Sequence, residues 1–227
     1  MVIINAAMSV DGKICTREGE SQISSQADLI RVHKLRSQVD GILVGISTVI
    51  KDDPLLNIRF IKHLDGKKDP VRIIIDSKAR LPLTSKIVKT AKDIETIVAV
   101  TKSAPENKLD VLKEKHLKII ISGEQGKKVD IRKALKQLET NFGINKILVE
   151  GGGEINWSII KNNLFDKLIV TISPMLIGGQ KTVTLIEGKG FDKIKDCKKL
   201  ELSNIYKRNN GEIIVCYTNP TKTKLYY

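Results

Sequence analysis

The strongest constraint on the fold is the alternation of two hydrophobic periods along the first two thirds of the chain. Six short runs rich in Val and Ile, at residues 2–6, 41–44, 71–76, 96–100, 117–122 and 146–150, are nearly continuous in apolar side chains. Strands covered on both faces read this way, because neither face meets water. Between several of them lie helical patterns, at residues 27–39, 105–115, 130–142 and 153–162. A strand, a helix and a second strand form a parallel pair with the helix laid across it. The alternation therefore predicts an α/β fold with a mostly parallel central sheet and helices on both faces. After Leu164 the pattern changes. Residues 167–173, 199–207 and 212–218 are strand-like, and Asn210-Gly211 supplies the chemistry of a tight hairpin turn between the last two. The sheet is expected to end antiparallel.

Neither an internal repeat nor a low-complexity linker interrupts the 227 residues, so a single domain is expected over 1–227, with 219–227 as a loose tail and 65–69 and 124–128 as exposed turns. At 41% hydrophobic the chain can bury a core without staples, and that core is aliphatic. No apolar run approaches the roughly 20 residues needed to span a bilayer, and the first residues lack a secretory pattern, which together predict a cytoplasmic protein without membrane partners. The three cysteines, Cys15, Cys197 and Cys216, are scattered and read as buried thiols rather than as a disulfide or zinc framework. The net charge of +13 suits an anionic small substrate, nucleic acid, or simply the lysine-rich habit of some genomes and of thermophiles. Its basic residues are spread along the chain with few aromatics for base stacking, which argues against nucleic acid.

Several segments carry possible chemistry. Glu150-Gly151-Gly152-Gly153 follows a strand and opens a helix, where bare backbone amides and the positive helix end can hold a pyrophosphate. It lacks the third glycine of the dinucleotide fingerprint, Asn156 standing there, and close packing explains the glycines equally well. The stretch GISTVIKDDPLLNIR at 45–59 places Thr48, Asp52 and Asp53 after a strand, either lining a cleft or capping backbone amides before Pro54. On the helix that starts near Ser25, with Asp28 as a capping-box acid, Leu29, Val32, His33 and Arg36 share a face. Arg36 there either reaches a phosphate or runs out to solvent along its stem, and His33 reads as a core histidine. His63 and His116 stand in loop-like or basic surroundings, and no histidine is given a catalytic role. Asp76-Ser77-Lys78-Ala79-Arg80 follows another strand, so its cations either receive a phosphate or decorate a solvated turn. Ser9, Asp11, Gly12 and Lys13 form a glycine turn after the first strand, with Asp11 bonding the turn.

In this order along the chain, Ala7-Met8-Ser9-Val10-Asp11-Gly12-Lys13, Gly19-Glu20-Ser21, residues 48–59, 76–80, Glu150 to Gly153, and Ser173-Pro174 with Gly178-Gly179 resemble the reductase family of riboflavin biosynthesis. The match covers nearly the whole chain, and the sequence lacks the H-x-E and P-C-x-x-C signature of the deaminase domain that bacterial bifunctional members carry. It is similar to the stand-alone archaeal and fungal type. The resemblance implies a dihydrofolate-reductase-like fold, a homodimer, and reduction of 2,5-diamino-6-(ribosylamino)-4(3H)-pyrimidinone 5′-phosphate to the ribitylamino product by a nicotinamide dinucleotide. It implies cofactor contacts at Ala7, Thr48, Asp52, Ser77 and residues 152–155 (Gly152, Gly153, Glu154, Ile155), and substrate contacts at Ser21, Arg36, Leu56, Arg59 and Glu150. Ile23 stands where bifunctional members have a tryptophan. Lys78, Ala79 and Arg80 extend the cofactor set, and the two cations favour NADPH, with NADH as the other candidate. Glu150 is expected to hold the pyrimidine amino groups or to help protonate the ring nitrogen, with Arg36 and Arg59 on the phosphate and no metal. The rival readings are reduction of the deaminated pyrimidinedione, dihydrofolate reduction, and a basic RNA-binding protein.

Overall fold

The computed structural model describes residues 1–61 and 68–223. Among them no helix is long and apolar enough to cross a membrane. The chain divides into two compact units, one of Met1–Val32 with the chain from Val149 onward, the other His33–Leu148.

The second unit is the simpler. Strands β2 (Gly41–Gly45), β3 (Val71–Ile75), β4 (Thr96–Val100) and β5 (Lys118–Ile121) are all parallel, in the order β5-β4-β3-β2. Ile42, Val44, Ile74, Val98 and Val100 are fully buried, which is why these runs carry no polar alternation. Against them pack residues from and around three helices, α2 (Ile46–Asp52), α3 (Lys86–Lys89) and α4 (Glu106–Glu114), through Val49, Ile87, Leu109 and Leu112. The fourth helix, α5 (Ile131–Phe142), starts where the Asp130 carboxylate accepts the Lys133 N–H at 3.1 Å and stops at Gly143, whose φ of 68° only glycine adopts freely. Strand β6 (Ile147–Val149) closes the unit, shorter than the expected 146–150. The four-residue α3 had no counterpart in the sequence reading, because one turn is too short to show a helical period.

In the other unit β1 (Val2–Ser9) pairs in parallel with β7 (Lys167–Ser173), from Ile3 opposite Lys167 to Ser9 opposite Ser173. Strand β9 (Ile213–Thr218) runs antiparallel to β7, and β8 (Glu201–Lys207) antiparallel to β9. The antiparallel ending follows from the hairpin at Asn210-Gly211, where Gly211 has φ 85°. Helix α6 (Gly153–Lys161) begins at the triple glycine.

Helix α1 (Gln26–Arg36) bridges the division, and its start corrects one expectation. Ser25 caps the Asp28 N–H at 3.3 Å, but the acid that answers Ser25 is Glu212, which accepts from its amide and its hydroxyl. Burial would raise the Glu212 pKa, yet the Ser25 and Asn210 bonds outweigh it and the net shift is downward. Asp28 instead turns inward, accepting from Arg31 Nε at 2.7 Å and from the Thr171 hydroxyl at 2.8 Å, while Arg31 also reaches Asn5.

Two further expectations are corrected. The stretch expected as a tail begins with a buried Asn219 that donates to Phe165 O and Asn163 Oδ1, followed by the short helix α7 (Pro220–Thr223). Residues 224–227, like His63 and most of the turn expected at 65–69, lie outside the described residues. Of the cysteines only Cys15 is buried; Cys197 is exposed beside the 3₁₀ turn Ile194–Asp196, and Cys216 is half-buried.

Candidate active site

In the unit that contains the chain termini, Glu150 follows the end of β6 and is half-buried. Gly151 has φ 97°, the Gly151–Gly152 peptide is cis, and Gly152 caps α6 with no side-chain hydrogen bond. An uncapped helix start with bare backbone fits the pyrophosphate of a dinucleotide. Gly153 is needed for packing as well: a Cβ there would fall 2.6 Å from Thr184 O and 2.6 Å from Glu187 Cγ. Close packing thus accounts for Gly153. Glu154 is exposed and Ile155 half-buried in the first turn.

The segment around Thr184 ties this helix start to the turn after β1. Asn156 donates to Leu185 O at 2.8 Å and Glu187 N to Gly153 O, while Leu185 N donates to Gly12 O and Ile14 N to Val183 O. Asp11 braces the same turn, accepting from the Ser9 hydroxyl at 2.6 Å and from the amides of Ile177 and Gly178 at 3.1 and 2.7 Å. The hydroxyl bond first, then the two amides, lower its pKa from 3.8 to about 2. Ala7 is half-buried in β1, opposite Thr171 of β7, and Ser21 is exposed on the connection to α1. Ile23 is buried, its carbonyl accepting from the Ser173 hydroxyl.

In the other unit the end of α1 grips the segment after α2. Arg36 is buried and donates to Asn57 O at 2.8 Å, so it does not run out to solvent. The buried His33 accepts the Arg59 N–H through Nδ1 at 3.2 Å and stands edge-on to Phe60. Leu56 is buried with φ 49°, a strained conformation for leucine. Arg59 is exposed, its guanidinium 5.1 Å from the Phe60 ring and bonded to Asn57 Oδ1. Arg36, Leu56 and Arg59, far apart in sequence, are thereby brought together. Thr48 is half-buried within α2 and Asp52 is exposed at its end. Asp53 accepts Lys86 N at 2.8 Å at the start of α3, an amide 33 residues on rather than one of its own turn.

Sequence reasoning missed Arg72, which anchors this region. It is fully buried in β3 and donates to Thr96 Oγ1, Thr90 Oγ1 and the carbonyls of Ile87, Ile94 and Leu55. Burial pulls its pKa down to about 10 against the attraction of Asp69 and Asp93, so it is charged at neutral pH. The signal was available: one arginine inside the run VRIII. The turn after β3 is pinned on every side. Ser77 accepts Val129 N through its hydroxyl and Thr101 N and Oγ1 through its carbonyl. Asp76 is buried, Ala79 is buried with φ 53°, and Lys78 and Arg80 are exposed. Two cations on a rigid turn beyond a parallel strand suit a phosphate. Among the described residues no group of three His, Cys, Asp or Glu could hold a metal ion.

Strands joined mostly in parallel, with helices between them and an antiparallel end, define an α/β protein. The particular family follows from comparison: residues 1–214 match the family model described as the RibD C-terminal domain, and the chain belongs to that family. It is 38% identical over 217 residues, 96% of this chain and 97% of the relative, to the 2,5-diamino-6-ribosylamino-4(3H)-pyrimidinone 5′-phosphate reductase of Methanothermobacter thermautotrophicus. It is 36% identical to the protein of the same name from Aquifex aeolicus, covering 91% of each chain. Among solved structures, Acinetobacter baumannii RibD superposes with a TM-score of 0.80 at 23% identity over 96% of this chain, which spans 57% of that longer one. The yeast riboflavin biosynthesis reductase Rib7 gives 0.71 at 24% identity, over 96% of this chain and 89% of that one.

Proposed function

We propose that this chain reduces 2,5-diamino-6-(ribosylamino)-4(3H)-pyrimidinone 5′-phosphate to its 6-(ribitylamino) product in riboflavin biosynthesis, as a cytoplasmic homodimer. The observation that carries the reading is the full-length likeness to relatives named for that reaction. The family model runs through both compact units, which supports reading the chain as one reductase domain. A nicotinamide dinucleotide supplies the hydride, and Lys78 and Arg80 favour NADPH over NADH.

The sugar ring of the glycosylamine opens to an imine, whose carbon C1′ takes the hydride while its nitrogen takes a proton, giving the secondary amine. The protein's work is to bind, orient and exclude water. Gly152, Gly153, Glu154 and Ile155 present backbone to the pyrophosphate, and Ala7, Thr48, Asp52 and Ser77 complete the cofactor contacts. Exposed Arg59 takes the substrate 5′-phosphate; buried Arg36 holds the Asn57 carbonyl and so the loop that carries Leu56 and Arg59. The Glu150 carboxylate accepts from the pyrimidine amino groups, and Ser21 closes the substrate set. The test is NADPH oxidation with the diamino substrate, run beside its deaminated 2,4-dione counterpart. Turnover of the diamino compound alone is expected; turnover of only the dione would move the reaction to after deamination, and silence on both would refute the assignment.

A further inference from the structure

Asp76 sits immediately beyond β3 and is fully buried. Its Oδ2 accepts the Leu81 N–H at 2.8 Å. Its Oδ1 is buried too and receives no hydrogen bond from the described residues. The cation beside that oxygen is Arg80, whose Nε lies 3.9 Å away while its side chain remains 54% exposed. A turn amide alone is satisfied by a neutral acceptor such as Asn, so a carboxylate with its desolvation cost calls for a cation to answer it.

The geometry shapes what Arg80 can do. Its neighbours Ala79 and Leu81 are both buried, and Ala79 N bonds back to Asp76 O, so the Arg80 backbone is fixed. The carboxylate faces the guanidinium through Nε, on the side of the stem. A guanidinium approached at Nε still has its terminal nitrogens to offer, and such a fork can grip a phosphate with two parallel bonds. In dinucleotide folds an acid at a strand end commonly accepts from the ribose 2′-hydroxyl and so favours the unphosphorylated cofactor. Asp76 is fully buried and does not play that part.

We propose that Asp76 is a positioning residue that aims Arg80 at the 2′-phosphate of the dinucleotide and thereby sets the preference for the phosphorylated cofactor. The inference rests on the dinucleotide reading above and adds the residue that enforces its specificity. Calorimetric titration with adenosine 2′,5′-bisphosphate and with adenosine 5′-monophosphate tests it without turnover. Wild type should bind the bisphosphate more tightly. Arg80→Ala should weaken it by about tenfold, the loss of a charge-assisted contact, and Asp76→Asn, which keeps an oxygen for Leu81 N–H, by about threefold. Neither should change the monophosphate. The double variant Asp76→Asn/Arg80→Ala should bind no worse than Arg80→Ala, because Asp76 acts only through Arg80.

Equal loss for both nucleotides in Asp76→Asn would make the residue merely structural and overturn the proposal, as would an additive double variant or a wild type indifferent to the 2′-phosphate. These outcomes are separate from the reductase assignment. Pyrimidine turnover with an indifferent wild type keeps the reductase and sinks this inference; the predicted titrations without pyrimidine turnover do the reverse.

Discussion

Replacing Arg72 with Met removes the guanidinium while keeping most of its aliphatic stem. In β3 that group serves five neutral oxygens: the hydroxyls of Thr96 and Thr90 at 2.8 and 2.7 Å, and the carbonyls of Ile87, Ile94 and Leu55 at 3.0, 2.9 and 3.4 Å. They do not all lose equally. Thr90 still donates to Lys86 O and Thr96 to Ile94 O, so both hydroxyls and the Ile94 carbonyl keep a bond. The carbonyls of Ile87 and Leu55 lose their guanidinium donor, at about 1–3 kcal/mol for a well-made buried bond and less for the longer Leu55 contact. Against this, the variant no longer desolvates a charge, which returns part of the loss. The balance predicts a destabilisation of about 2–3 kcal/mol, read from urea unfolding followed by circular dichroism, with an unchanged denaturant slope. Because Leu55 adjoins Leu56, the KM for the pyrimidine phosphate should rise as well. A change within about 0.5 kcal/mol would show that the cost of burying the charge cancels its hydrogen bonds, and would refute the claim that Arg72 stabilises this unit.

Three further outcomes are expected. Asp11 has a folded pKa of about 2 against 3.8 unperturbed, so its stabilising effect is complete above 3.8 and disappears as pH falls through about 2; thermal melts of wild type and Asp11→Asn should converge over that window, and a constant difference would contradict the bracing role. In Gly188→Ala the new Cβ would lie 2.0 Å from Trp157 Cδ1 at a φ of 81°, so the variant should lose more than about 2 kcal/mol and shift the emission of the chain's single tryptophan; unaltered fluorescence and melting would show that the contact relaxes freely. Glu150→Gln should lower kcat/KM for the pyrimidine by about tenfold or more while leaving nucleotide affinity intact, and a variant with wild-type kinetics would remove Glu150 from the site.

Much of this architecture was legible because its physics is local. The runs that became β2, β3 and β4 are almost wholly apolar because nearly every position is covered, Arg72 and Thr96 being the polar exceptions, and Asn210-Gly211 announces its turn by backbone chemistry alone. Legibility failed where the decisive partner is distant in sequence. The acid for Ser25 is Glu212, 187 residues away, and no capping pattern can point to it. Asp28 looked like a capping acid because of its spacing, yet Thr171 and Arg31 claim it. For the candidate site, the motifs did not show the division of labour within the turns they mark. Asp53 accepts the first amide of α3, Gly153 is demanded by Thr184 and Glu187, and Arg36 points at a carbonyl rather than at solvent. Each of these depends on which side chain a neighbouring segment leaves room for, which becomes visible only once the segments are packed.

The central claim is that hydride passes from the dinucleotide to C1′ of the ribosylamino group. The most direct measurement is a single turnover with NADPH carrying deuterium at both positions of nicotinamide C4, followed by NMR of the ribitylamino product. One deuterium at C1′ and none elsewhere on the sugar is the predicted result. A product whose C1′ hydrogens come only from solvent, or cofactor consumed with no label in the ribityl chain, would contradict it.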